Sequence, residues 1–161
     1  MPQKKNDRIA KYVSWVLVAV CMGVIFYFSA RPAHQSSQQS AFFVEWLRSI
    51  FGDNEMLTFI VRKTAHFLEF AGLSLLFNNA LYFSCVKTKP LQAIIFTALY
   101  ALTDEVHQIF VDGRSCEFVD WCIDLGGAVC GTLGYMVVFG IITKVAKILK
   151  NKKNNIDTKV Q

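Results

Sequence analysis

Charge is scarce in this 161-residue sequence: Asp, Glu, Lys and Arg make up 18% of it against 53% hydrophobic residues, below the roughly one quarter that soluble domains carry. The shortage is uneven. No charged side chain stands among the nineteen residues from Tyr12 to Ala30, and such a run, at ~1.5 Å per residue, reaches about 28 Å, close to the hydrocarbon thickness of a bilayer. The stretch FSARPA that ends it lacks a small-x-small cleavage site, which favours a retained span over a removed leader. The basic charge, formally +5 net, gathers at the two ends and in one short turn, without interleaved aromatics, which argues against a nucleic-acid surface. The five cysteines, Cys21, Cys85, Cys116, Cys122 and Cys130, include no CxxC pair. They read as small apolar packing residues, with Cys116 and Cys122 near enough in sequence to approach one another. No internal repeat is evident.

Three further apolar runs are present, about Lys63 to Phe83, Leu91 to Val111 and Trp121 to Ile142, each near span length when its few polar positions are tolerated. The expected architecture is an all-α polytopic membrane protein with four transmembrane helices, at about 12–30, 63–83, 91–111 and 121–142. They form a membrane domain over 12–143, between a basic N-terminus at 1–11 and a lysine-rich tail at 144–161. Gly127 and Gly131 make a GxxxG spacing in the last span, which lets a neighbouring helix approach closely in lipid. Twelve of the seventeen Lys and Arg residues lie at the termini and in the Val86 to Pro90 turn. By the positive-inside rule these are cytoplasmic, and the Arg31 to Arg62 and Asp112 to Val119 loops are outside a cell membrane. The first outer loop is polar through Gln35 to Ser40. Phe42, Phe43, Trp46, Leu47, Ile50 and Phe51 then recur at helical spacing, as in a short amphipathic helix on the outer surface or across the bundle mouth. The tail from Lys150 is expected to be disordered, near anionic headgroups. The bilayer is thus the first partner.

Ionisable residues interrupt three of the spans. His66 and Glu69 are three apart in the second; Asp104, His107 and Gln108 stand at i, i+3 and i+4 in the third; Asp120 and Asp124 are four apart in the fourth. Each set occupies one helical face. At ~1.5 Å per residue Glu69 and Asp104 lie about 10 Å below the outer rim, Asp124 about 9 Å and the two histidines about 6 Å, so an inner carboxylate layer is expected beneath an outer histidine layer. Each such group costs about 2 to 3 kcal/mol in a membrane, so the side chains should turn inwards and pair. A purely structural network satisfies that demand, with the histidines bonding carboxylates and Arg62 and Arg114 pairing with Asp120 or Glu105 at the rim. Three functional arrangements satisfy it too. His66, His107, Glu69 and Asp104 are suitable ligands for a divalent metal. A carboxylate beside a histidine can act as general base and acid, with Arg114 of the Asp-Gly-Arg turn holding an anionic headgroup. The same groups can relay protons or bind an anion without chemistry.

The motifs FYFSARPAHQSSQQS, KTAHFLEFAGLSLL and YALTDEVHQIFVDGRSCEFVDWCIDLGGAVCGTLG, spanning roughly Phe26 to Gly134, resemble the VanZ-like family of bacterial membrane proteins. The resemblance implies a site made of His66, Glu69, Asp104, Glu105, His107, Gln108, Gly113, Arg114, Asp120 and Asp124. Phe70 stands where the family often has Tyr, and Asp124 where it often has Asn, so this site lacks one hydroxyl and is more acidic. The family takes its name from a protein that lowers sensitivity to teicoplanin. That implies a role at the cell envelope, on a lipid or a peptidoglycan precursor, and leaves open whether His66, Glu69, Asp104, Glu105, His107 and Gln108 catalyse anything or, with Arg62, Arg114, Asp120 and Asp124, only bind.

Overall fold

The computed structural model describes residues 5–32, 44–50 and 56–157. They form five helices and no strand: α1 (Lys5–Ser29), α2 (44–50), α3 (Met56–Cys85), α4 (Pro90–Gln108) and α5 (Phe118–Asp157). The all-helical expectation holds. α1, α3 and α5 outrun the apolar stretches that announced them, because hydropathy falls where charges begin while helix propensity does not: Lys and Arg are good helix formers. α3 therefore starts six residues before Arg62, and α5 runs for 40 residues through the lysine-rich tail to Asp157. The tail is helical there, contrary to the disorder expected of it. α4 instead ends at Gln108, short of the expected Val111.

α3 is the central helix, packing against α5, α1 and α4, while α5 also packs against α4. Phe70, Leu73, Phe77 and Leu81 of α3 meet Val18 and Ile25 of α1 and Ala93 and Ala101 of α4 in one buried cluster. The α3–α5 contact is set by glycine: a Cβ on Gly127 would strike the Phe67 carbonyl, and one on Gly131 the Ala71 carbonyl. This is the close approach that the GxxxG spacing anticipates. Polar bonds stitch the same contacts, Ser74 Oγ to Thr132 Oγ1 at 2.7 Å and Asn78 Nδ2 to Thr132 Oγ1 at 3.0 Å between α3 and α5. Tyr100 Oη donates to the Met22 carbonyl at 2.6 Å between α4 and α1. The α3–α4 turn begins with Val86 at a left-handed φ of 54° and ends with Pro90 opening α4, where its missing N–H is harmless.

Two stretches, Asp7–Ser29 and Phe118–Lys152, are long and apolar enough to cross a membrane, and 17% and 22% of their most apolar windows is buried. A core helix of a soluble domain hides most of that surface. Here Val13, Val16, Leu17 and Val20 of α1 and Leu133, Val137 and Val138 of α5 face outwards. α3 and α4 fall short of the same measure because they carry the ionisable residues described next. α2 presents Trp46 and Ile50 outwards and buries Val44; Phe42, Phe43 and Phe51 of the expected amphipathic face lie outside the described residues.

Candidate functional site

The last turn of α4 and the end of α1 form the most completely bonded part of the site. Asp104 and Gln108, one turn apart, both face α1, whose final residue is Ser29. The Ser29 hydroxyl donates to Asp104 Oδ2 at 2.9 Å, and Gln108 Nε2 donates to Asp104 Oδ2 and to Ser29 Oγ, each at 3.1 Å. Ser29, Asp104 and Gln108 are 1%, 3% and 4% exposed, so the bonds form where dielectric screening is weak. Asp104 Oδ1 has no hydrogen-bond partner.

Glu105, one residue and about 100° further round the helix, is 2% exposed and accepts the Glu117 backbone N–H at 3.1 Å. That bond fastens the loop leading into α5. His107 turns to α1, its ring stacked on Phe26 with centroids 4.4 Å apart and its Nε2 buried without a partner. Asp124 of α5 is 1% exposed and neither of its oxygens has a hydrogen-bond partner. It lies within the electrostatic reach of Glu105, Asp104, Asp120 and Glu69, so carboxylates of α3 and α4 as well as α5 act on it.

At that end a cavity of ≈ 190 Å³ opens between α3, α4 and α5, its walls including Arg62, Lys63, His66, Gln108, Arg114 and Asp120. Lys63 Nζ forms an ion pair with Asp120 Oδ1. His66 Nδ1 lies 3.8 Å from Glu69 Oε2, one turn deeper on α3, too long for a hydrogen bond. Gly113 adopts a left-handed φ of 73°, a conformation open to glycine, and the chain turns back so that Arg114 reaches the end of α1. There its Nε donates to the Arg31 carbonyl at 3.0 Å and its Nη2 to the Phe28 carbonyl at 3.4 Å, capping a helix C-terminus with a cation. Nη1 is buried with no partner. Burial, and then the nearby Arg62 guanidinium, hold Arg114 below the usual arginine range, while Asp104, Glu69 and Glu105 act in the opposite direction. Arg114 thus stands between a second cation at the mouth and carboxylates beneath.

The rim pairing expected of Arg62 and Arg114 is corrected: Asp120 takes Lys63, Glu105 takes a backbone N–H, and Arg114 takes backbone carbonyls. The separate histidine layer also divides, since His66 lines the cavity while His107 lies against Phe26. Among the described residues no three His, Cys, Asp or Glu side chains are grouped to hold a metal. The ligand set His66, Glu69, Asp104 and His107 does not assemble, because Asp104 and His107 are turned to α1. Cys116 and Cys122 are free thiols. Ser29 and Lys63 were not singled out by spacing, although each lies in a motif that carries the family resemblance, FYFSARPAHQSSQQS and KTAHFLEFAGLSLL.

Outward-facing apolar helices with acidic side chains of α3, α4 and α5 turned inwards define a helical protein suited to a membrane. The chain belongs to the VanZ/LLP1 family, whose model matches residues 14–140. That stretch contains every residue of the candidate site. No curated protein and no solved structure matches the chain.

Proposed function

We propose that this is a multi-pass protein of a bacterial cytoplasmic membrane, crossed by α1, α3, α4 and α5 with both termini inside, and that its outward-facing polar cluster binds or modifies an envelope lipid or peptidoglycan precursor. A link to glycopeptide resistance of the teicoplanin type follows from such a role. The excess of lysine at the termini supports the orientation, and the buried carboxylates support the crossing of α3 and α4, since intramembrane acids belong in a bundle interior. The observation that carries the functional reading is the cavity with Arg114 fixed in its wall and His66 and Glu69 on one helix face. Of the acid–base pairs the sequence offers, Glu69 with His66 is the better placed for chemistry, as base and proton partner, with Arg114 as the anion clamp. Asp104 and His107 are engaged with α1.

A second reading, a non-catalytic accessory or transport protein in which the cluster is structural or handles protons, is favoured by the mutual bonding of Ser29, Asp104 and Gln108 and by the Lys63–Asp120 pair. Glu69→Gln and Asp104→Asn separate the two. Teicoplanin susceptibility of a host expressing each variant is measured, together with the lipid that co-purifies with it. Chemistry at Glu69 predicts that Glu69→Gln folds, retains the lipid and loses the phenotype. Full function in both variants ends the catalytic claim.

A further inference from the structure

We infer that the cavity seats a phosphoryl group between the guanidinium groups of Arg62 and Arg114. The inference rests on the proposed function and gives its ligand a chemistry. The wall contains three cations, Arg62, Lys63 and Arg114, and two carboxylates, Glu117 and Asp120. Lys63 and Asp120 are paired with each other, and Glu117 Oε1 accepts the Ser115 hydroxyl at 2.9 Å. On the wall itself two guanidinium groups are left with a single carboxylate; Asp104, Glu69 and Glu105 act on Arg114 from beneath, yet among the described residues neither guanidinium forms an ion pair.

Arg114 is built for an external anion. Its two bonded nitrogens are held by backbone carbonyls, which fix the fork without neutralising it, and Nη1 remains buried and unpartnered. A charged donor set already immobilised loses little further freedom when a ligand arrives. Arg62 adds like charge close enough to oppose that of Arg114, an unfavourable approach that an anion between them reverses. The two forks also select the anion. A carboxylate has two oxygens and satisfies one fork, whereas a phosphoryl group presents three or four and can accept from both. His66, on the same wall, adds a ring donor, while the Gln108 amide there is already committed to Asp104 and Ser29.

The phosphoryl group can belong to a lipid headgroup or to a soluble phosphate, and two probes tell these apart. The full chain in detergent is titrated with inorganic pyrophosphate by calorimetry, and by native mass spectrometry with phosphatidic acid and with diacylglycerol of the same acyl chains. We expect pyrophosphate to bind and phosphatidic acid to bind at least tenfold better than diacylglycerol. Arg62→Gln should weaken the binding of both phosphate probes by about tenfold or more, the scale of one lost charge-assisted hydrogen bond. Arg114→Gln should do the same, but it also uncaps α1, so Arg62→Gln decides, with Arg62→Lys recovering part of the loss. The seat is overturned if neither phosphate probe binds the parent chain, or if Arg62→Gln binds them as the parent does. Retention of a co-purified envelope lipid by Arg62→Gln would reject the seat and leave the envelope role standing. Arginine-dependent pyrophosphate binding with no preference for phosphatidic acid would keep the seat and reject the lipid ligand.

Discussion

Replacing Gly131 by alanine adds one methyl group where the backbones of α5 and α3 are closest. The new Cβ would meet the Ala71 carbonyl and lie 2.9 Å from the Ala71 Cα, against the ~3.5–4.0 Å at which carbon atoms rest. The obstacle is backbone on a central helix and cannot rotate away, so the helices must part by about 1 Å or the contact must stay compressed. Parting them stretches the neighbouring Ser74–Thr132 bond from 2.7 Å beyond hydrogen-bond range and strands buried hydroxyls, at about 1–3 kcal/mol. Compression in a packed interior costs a similar ~1–3 kcal/mol. Alanine returns just under ~1 kcal/mol through helix propensity, so Gly131→Ala should lose up to about 2 kcal/mol net. Gly134, three residues on, has nothing within 4 Å of an added Cβ, and Gly134→Ala should be neutral or slightly stabilising. Both are measured against the parent by denaturant unfolding in one detergent, followed by circular dichroism. If Gly131→Ala unfolds no earlier than Gly134→Ala, the α3–α5 approach described here is wrong.

Ser29→Ala removes a donor to a buried carboxylate and should lower stability by about 1–3 kcal/mol, read as an earlier unfolding midpoint; an unchanged midpoint would show that the Asp104 bond contributes nothing. Val86→Gly relieves a β-branched residue of a left-handed φ, a conformation that costs about 1–2 kcal/mol, so the variant should unfold later than the parent, and equal or lower stability would contradict the strain. Cys116 and Cys85 are both exposed and lie in the predicted outer loop and at the predicted inner end of α3. In single-cysteine versions an impermeant maleimide should label Cys116 on intact cells and Cys85 only after permeabilisation; the reverse pattern would invert the orientation.

The long helices, the turn between α3 and α4 and the glycine contact were legible because each rests on a one-dimensional quantity: run length, a Pro after a polar break, a four-residue spacing of small residues. Position along each helix was legible in the same way, since helix rise turns residue number into distance. Azimuth was not. His66 and His107 stand at equal expected depths, yet one borders the cavity and the other stacks on Phe26, because rotation of a helix about its axis depends on which neighbour it packs against. The same ignorance misassigned the rim. Arg62, Lys63 and Arg114 are equivalent cations on paper, and only the packing of α3 on α5 places Lys63 beside Asp120. Backbone partners were invisible altogether, as no side-chain pattern announces that Arg114 will take two carbonyls or that Glu105 will take the N–H of Glu117.

The end of α1 ties these observations into one mechanical unit. Its last side chain, Ser29, holds Asp104 and Gln108 on the inner side of the site, and its terminal carbonyls at Phe28 and Arg31 hold Arg114 at the mouth. Phe26, one turn back, holds the His107 ring. Most of these contacts join groups whose removal leaves a buried polar atom unmatched, so they resist being broken singly. A ligand that draws Arg114 towards the cavity therefore pulls on the same few residues that orient the Asp104 carboxylate. The helix that carries no ionisable residue of the candidate site is thus the one through which its cationic mouth and its acidic floor are positioned together.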